Sequence, residues 1–371
     1  MRQIAKREVC MGGRVFLFRE NRFNAKVAEA FAKDRKEISF ARLCESLCAL
    51  CVWIPDIKLL SMGGTTLTLP AFAKINLGLR VLGKRPDGYH ELDTVFQTIS
   101  LHDTIMLTAT NDSEIVLSCD DRSLPTDAGN LAYRAAKAFQ ARLAPDKGVH
   151  IRLEKRIPAQ AGLGGGSSDG AATLLGLAYL WRVDARGHEL LEIARGLGAD
   201  VPFFFFGGAA RGTGIGNDIA PLNDVPDRFL LVVKPNASIS TAEAYRSLNA
   251  RSLTTVDAKT ILSSSEWSGV SYSFDSETLQ NDFEPVVFEL EPEISRAKVA
   301  LLNAGAEMAL LAGSGSAVFG VFDSEDAQKR AIQVLELESG WRVFPCSTVG
   351  RSHYRSAMGA AGELFARCFG R

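Results

Sequence analysis

From Thr65 onward the chain alternates apolar and polar positions as a strand does. Between Ala73 and Val81, Ile75, Leu77, Leu79 and Val81 fall on one face, and Lys74, Asn76, Gly78 and Arg80 on the other. A turn-rich loop follows, Gly83-Lys84-Arg85-Pro86-Asp87-Gly88. Apolar runs predict further strands over 93–100, 104–109, 149–155 and 229–233, and over 309–311 and 317–322 on either side of a glycine-serine loop. Helical spacing predicts helices over 130–143, 168–181, 188–197, 241–248, 291–304 and 326–335. In the second of these, Ala171, Leu174, Leu175, Ala178 and Trp181 recur at the spacing of a core-facing stripe. Gly198, directly after the third, reads as a left-handed cap. A polar, serine-rich stretch occupies 262–276, and no internal repeat is evident. The expected class is α+β, with domains over 65–224 and 225–371.

The first 64 residues break this pattern. They carry 12 Lys and Arg against 7 Asp and Glu, a net of +5, which leaves −6 on the remainder of a chain whose formal charge is −1. Two readings stand for this extension of unknown role: a basic appendage or transit segment, or an upstream extension of the reading frame with Met62 as the start. Transit peptides are poor in acidic residues, and none of the motifs described below falls here, so a dispensable extension is the expectation. The longest apolar run in it, 47–54, stops at Pro55, against the roughly 20 residues a membrane span requires. Nor does the N-terminus resemble a signal peptide, and a cytoplasmic protein is expected. Cys44, Cys48 and Cys51 have superficially metal-like spacing without a nearby histidine, so an apolar helix face carrying small sulfur residues is expected. Seven sparse cysteines are not a disulfide framework. With 371 residues, 46% hydrophobic and 23% charged, the chain has the make-up of an ordinary globular protein of two cores. Its near-zero charge gives no bulk attraction to nucleic acid or to an anionic membrane, and neither is an expected partner.

Candidate chemistry begins at Pro158-Ala159-Gln160-Ala161-Gly162-Leu163-Gly164-Gly165-Gly166-Ser167-Ser168. Glycines let backbone N–H groups approach an anion closely, and the helix that follows adds unsatisfied donors and a positive dipole end. Together these predict a phosphate site, with Ser167 and Ser168 adding hydroxyls. The plainer alternative is a connector with a serine cap. The run is neither a Walker A loop nor a dinucleotide fingerprint, and it lacks a lysine of its own. Positive charge must then come from elsewhere. Lys74, beside Asn76, is a candidate, or else a solvated strand lysine. Asp200, ahead of Val201-Pro202 and four phenylalanines, is a candidate base for a substrate hydroxyl, and equally a helix N-cap. Tyr89 and His90 suit stacking on a base and bonding to its edge, or a capped hairpin with a packed tyrosine. Gly313, Ser314, Gly315 and Ser316 either close over phosphates or form a tight hairpin.

Three segments in this order, 70–79, 158–168 and 311–321, resemble the motifs of the GHMP kinases, named for their galactose, homoserine, mevalonate and phosphomevalonate members. The likeness continues through Lys84 to Leu92, Gly198 to Pro202, Ser240 to Tyr245 and Asn281 to Pro285. It begins near Leu67 and leaves out the first 61 residues. The resemblance implies a ribosomal protein S5 domain 2-like N-terminal domain and a ferredoxin-like C-terminal domain. It implies ATP as co-substrate with Mg²⁺, residues 158–168 around the ATP phosphates, Gly313–Ser316 nearby, Asp200 as base and Lys74 as its electrostatic partner. Within the family, Tyr89-His90 implies a small-molecule acceptor that is a cytidyl diphosphate sugar alcohol. His90 would then bond the cytosine edge, Tyr89 and Tyr245 would pack on its faces, and Asn76 would also touch substrate. No acidic Mg²⁺ ligand stands out in these motifs, so the metal ligands are unknown, as is the oligomeric state. Another GHMP kinase specificity and a nucleotide-binding module without catalysis are the rival readings.

Overall fold

The computed structural model describes residues 6–11, 14–19, 65–250 and 279–369. The chain forms two compact units, 1–62 and 63–371. In the first, β1 (Lys6–Met11) and β2 (Arg14–Arg19) pair antiparallel. The cysteine run, the apolar run 47–54, Met62 and the serine-rich stretch 262–276 lie outside the described residues.

The second unit is built on two sheets. In the larger, β3 (Thr66–Lys84) and β4 (His90–Thr110) form a long antiparallel hairpin. The other edge of β4 pairs with β6 (Gly148–Glu154) along one half and with β7 (Ala209–Gly214) along the other. β5 (Ile115–Cys119) runs parallel to β6, and β8 (Asp218–Pro221) closes the β7 edge. The polarity of His102-Asp103 predicts a break between two strands, yet β4 runs through it. The reason is that the Asp103 carboxylate is fully buried and accepts the backbone N–H groups of Arg156 (2.5 Å) and Ile157 (2.8 Å). An acid satisfied in this way needs no turn to carry it to water. β3 likewise departs from a simple in–out alternation. Ala73, Ile75 and Leu77 pack with Leu230, Val232 and Phe319 of the second sheet, while Lys74 and Asn76 on the opposite face are also buried.

Helices α1 (Leu131–Leu143), α2 (Gly165–Leu180) and α3 (Gly187–Leu197) cover the larger sheet. The Asn130 side chain caps α1 by accepting the Ala132 N–H at 2.9 Å. α2 starts three residues earlier than its apolar stripe predicts. Gly164 takes a left-handed φ of +70° and turns the chain, and Gly165 already sits where a Cβ would meet Ile157 at 2.9 Å. Gly198 is not the expected left-handed cap. Its φ of 172° is extended, and the chain leaves α3 straight toward the 3₁₀ turn Val201–Phe205.

The smaller sheet has the order β10 (Met308–Leu311), β11 (Val318–Phe322), β9 (Phe229–Lys234), β12 (Arg342–Ser347), all antiparallel. Helices α4 (Thr241–Ala250), α5 (Glu284–Leu290) and α6 (Pro292–Asn303) fall between β9 and β10, and α7 (Glu325–Leu335) between β11 and β12. This βαββαβ order with strands arranged second, third, first, fourth is the ferredoxin-like arrangement. The chain then returns to the first core through α8 (Arg351–Ala357) and α9 (Glu363–Phe369). Tyr354 donates its hydroxyl to Phe204 O, and Gly207 leaves room for its ring. The short elements 115–119, 209–214, 218–221, 284–290, 342–347 and those after 351 have too little periodicity to be predicted. No helix among the described residues is long and apolar enough to cross a membrane.

Candidate active site

A cleft of about 1090 Å³ lies along the glycine run, and every residue from Pro158 to Ser167 lines it. Leu163 O accepts the Lys74 N–H at 2.9 Å, which ties the run to β3. Behind it lies the Gly313–Ser316 turn between β10 and β11. Ala317 N–H donates to Ala161 O at 3.2 Å, and the Ser316 hydroxyl to Gln160 O at 3.2 Å. The contact is backbone against backbone. A Cβ on Gly162 would lie 1.8 Å from Ala312 O, and one on Gly315 would lie 2.2 Å from Gly162 N. Gly162 (φ +79°) and Gly313 (φ +60°) also hold left-handed conformations that side chains resist. The turn is therefore a hairpin and a wall of the glycine run at once, with Gly313 and Ser314 reaching the cleft. Helix α2 then begins without any side-chain cap. Its first-turn donors at Gly165, Gly166 and Ser167 border the cleft. Ser168 does not. One residue further round the helix, its side chain is buried in the fold, so of the two serines ending the run Ser167 alone presents a hydroxyl.

Lys74 is not a solvated strand lysine. It is 3% exposed, donates to Asn76 Oδ1 at 2.8 Å, and lies 3.4 Å from Asp200 Oδ2 and 5.5 Å from the Phe96 ring centre. Asn76 in turn donates to Thr94 Oγ1 at 2.7 Å, and Thr94 donates to Gly78 O at 2.7 Å. This chain of bonds fixes the ammonium from behind. Asp200 does stand at the N-cap position of the 3₁₀ turn, but its side chain makes no capping bond there. Phe203, Phe204 and Phe205 are fully buried and wedge the turn into the first core. The carboxylate is left at the cleft wall, a third exposed, with an ammonium on one side.

On the same cleft the β3–β4 hairpin is capped as its composition suggests. Arg85 N–H bonds to Tyr89 O, Asp87 accepts the Tyr89 N–H, and Gly88 turns at φ +87°. Tyr89 is not packed down: it is 61% exposed and lines the cleft. His90 is buried and stacks on Tyr245 of α4, ring centres 4.9 Å apart and planes 29° from parallel. Tyr245 also meets Phe283 edge-on at 4.8 Å. Burial, and then the charge of Asp200, push the Tyr245 hydroxyl pKa up, so it stays a neutral donor.

Motif reading misses a further cluster. Lys155, three residues before Pro158, is bonded to Asp103 and lies 2.8 Å from Asp169, the residue after Ser168. All three are nearly or fully buried, and Lys155 and Asp169 border the cleft. Burial pushes the Asp169 carboxyl up to about 7, against the pull of Lys155. Burial alone would lower Lys155, but the two carboxylates outweigh it and the ammonium is held above its ordinary range. The cluster ties β4, the end of β6 and the first turn of α2 together beneath the glycine run. The available signal was a lysine and an aspartate flanking the run on either side. Asn281 opens the family-like segment 281–285 and has no role assigned there. It donates to Leu311 O (2.9 Å) and Gly313 O (2.7 Å) and so holds the second glycine turn.

The family model for the N-terminal domain of GHMP kinases matches residues 130–208, and that for the C-terminal domain matches 268–338. The 4-diphosphocytidyl-2-C-methyl-D-erythritol kinase of Solibacter usitatus is 44% identical over 294 residues, 78% of this chain and 90% of that one. The chain belongs to the GHMP kinase family. A relative of the same name from Prosthecochloris aestuarii is 42% identical over 76% of this GHMP kinase and 98% of its own length. A crystal structure of 4-(cytidine 5'-diphospho)-2C-methyl-D-erythritol kinase superposes with a TM-score of 0.63 at 35% identity, covering 76% of this chain and all of that one. Homoserine kinase from Cytophaga hutchinsonii, at 19% identity and a TM-score of 0.62 over 81% of this chain and 99% of its own, shares the GHMP kinase fold.

Proposed function

We propose that this GHMP kinase transfers the γ-phosphate of ATP to the 2-hydroxyl of 4-diphosphocytidyl-2-C-methyl-D-erythritol, a step of the non-mevalonate isoprenoid pathway. The acceptor is the one named for relatives 40–44% identical over most of the chain. The observation that carries the chemistry is the Lys74–Asp200 pair, 3.4 Å apart on the wall of the same cleft as the uncapped start of α2. One end offers donors to phosphate oxygens, and the other offers an acceptor for a hydroxyl proton.

In this reading the phosphates of ATP lie on the N–H groups of 164–167. Leu124, Pro125 and Leu131, which line the cleft, receive the nucleoside. Phosphoryl transfer asks the protein mainly for position and charge. Asp200 orients the acceptor hydroxyl and takes its proton. Lys74, fixed by Asn76, stabilises the charge that develops on the transferred group. His90 bonds the cytosine edge. With one face of Tyr245 covered by His90, Tyr89 is the ring free to close over the base. Mg²⁺ carried on the ATP would neutralise phosphate charge. The Ser167 hydroxyl on the cleft wall is the side chain of the glycine run that would reach it. We place the domain limits at 65–224 and 225–371, with the last helices of the second packed back on the core of the first, and the enzyme with its ATP in the cytoplasm.

The test is the structure of the product. Incubation with ATP, Mg²⁺ and the cytidyl acceptor gives, by phosphorus NMR, one new phosphomonoester on the 2-hydroxyl with the diphosphate bridge intact. ADP formed without that resonance, or a phosphate on another hydroxyl, removes the assignment.

A further inference from the structure

The acceptor proposed above brings a diphosphate bridge, with one negative charge on each phosphate, into a cleft that already receives those of ATP. Four lysine or arginine side chains line that cleft: Lys74, Lys84, Lys155 and Arg246. Two of them are committed. Lys74 is bonded to Asn76 and faces Asp200, and Lys155 lies between Asp103 and Asp169. The other two have no carboxylate partner among the described residues. Lys84 makes no side-chain hydrogen bond there, and Arg246 spends only its Nε, on Ala242 O one turn back at 3.3 Å.

Their positions are not scattered. Lys84 is the cross-strand partner of His90 at the end of the β3–β4 hairpin. Arg246 follows Tyr245 on α4. Since His90 and Tyr245 stack at 4.9 Å, each of the two cations is carried by a residue next to one of these rings, by pairing or in sequence, and both line the cleft. His90, Tyr245 and Asp200 all line this one cleft. A ligand held by a nucleobase at the rings and by a hydroxyl at Asp200 must lay its bridge between them.

We infer that Lys84 and Arg246 form a subsite for the acceptor's diphosphate bridge, one cation for each phosphate. The inference rests on the cytidyl reading above and adds to it the residues that recognise the charged linker. Charge-assisted hydrogen bonds of this kind are the stronger ones, and the guanidinium fork suits a phosphate oxygen pair.

The experiment compares cytidine and CDP as competitive inhibitors against the cytidyl acceptor with ATP saturating, in the wild type and in Lys84→Met and Arg246→Met. The wild type is expected to bind CDP more tightly than cytidine. Each variant is expected to lose about tenfold of that preference and to raise the acceptor KM by a similar factor, with the KM for ATP unchanged. The acceptor KM should also rise with ionic strength, less steeply in the variants. If the variants keep the wild-type ratio of CDP to cytidine affinity, or if the wild type has no preference for CDP, the subsite is wrong while the cytidyl reading stands. If neither compound competes with the acceptor, the cytidyl reading itself falls and takes the subsite with it.

Discussion

Replacing Gly162 by alanine tests how the phosphate site is built. The added Cβ would lie 1.8 Å from Ala312 O, where ordinary contact begins at 3.4 Å, so the two glycine loops must part by about 1.6 Å or the new methyl must rotate the backbone. If the backbone keeps its φ of +79°, a side chain there costs roughly 1 kcal/mol. Parting the loops weakens two bonds between them, Ala317 N–H to Ala161 O and Ser316 hydroxyl to Gln160 O. Each contributes about 1 kcal/mol. The total, roughly 3 kcal/mol, predicts a fall in Tm of roughly 5 °C or more by scanning calorimetry. The kinetic effect should be larger than the thermal one suggests. A displacement of about 1 Å at a positioning loop costs on the order of a hundredfold in rate, so kcat/KM for ATP in an ADP-release assay should fall by about that factor. Gly196→Ala is the control. Gly196 sits exposed in α3, where an added Cβ would meet nothing within 4 Å, and the substitution should stabilise by roughly 0.5–1 kcal/mol without touching the cleft. A Gly162→Ala enzyme with wild-type kcat/KM for ATP would refute the claim that this backbone contact shapes the phosphate site.

Other predictions concern single side chains. Asp200→Asn should fold with an unchanged circular dichroism spectrum and lose about 10²- to 10⁴-fold in kcat, and near-normal turnover would remove Asp200 from the role of base. His90→Ala should raise the KM of the cytidyl acceptor and leave that of ATP nearly unchanged; equal losses for both ligands would count against a cytidine pocket. Asp169 has a raised folded pKa of about 7, so the folded protein holds a proton that the unfolded chain releases near pH 4. Its contribution to stability is therefore greatest in acid and declines as pH rises through about 7. Asp169→Asn should grow more stable relative to wild type between pH 5 and pH 8, as measured by Tm, and a difference that shrinks over that range would contradict the buried cluster.

What the sequence disclosed and what it hid follow from the range of the interactions. The glycine run, Lys74 and Asp200 were legible because each is a local pattern: glycines before a helix, an ammonium on a strand, an acid before x-Pro. The strand through His102-Asp103 was not, because an acid reads as solvent-facing until its partners are known. Those partners, the backbone of Arg156 and Ile157, lie more than fifty residues away. The same distance hid the Lys155 cluster, although two of its members flank the glycine run. The stack of His90 on Tyr245 was out of reach for a related reason, since α4 meets the β3–β4 hairpin only when both sheets are assembled. Gly198 shows the limit of a rule applied to one residue. A glycine after a helix permits a left-handed cap, but the direction of the next element decides, and here it requires an extended one.

The choice of acceptor is the central claim, and a panel assay of ADP release decides it. With ATP and Mg²⁺ held constant, 4-diphosphocytidyl-2-C-methyl-D-erythritol should support turnover, and mevalonate, homoserine and galactose should not exceed the rate without acceptor. Turnover with one of those three, or none with the cytidyl compound by an enzyme that binds ATP, would contradict it.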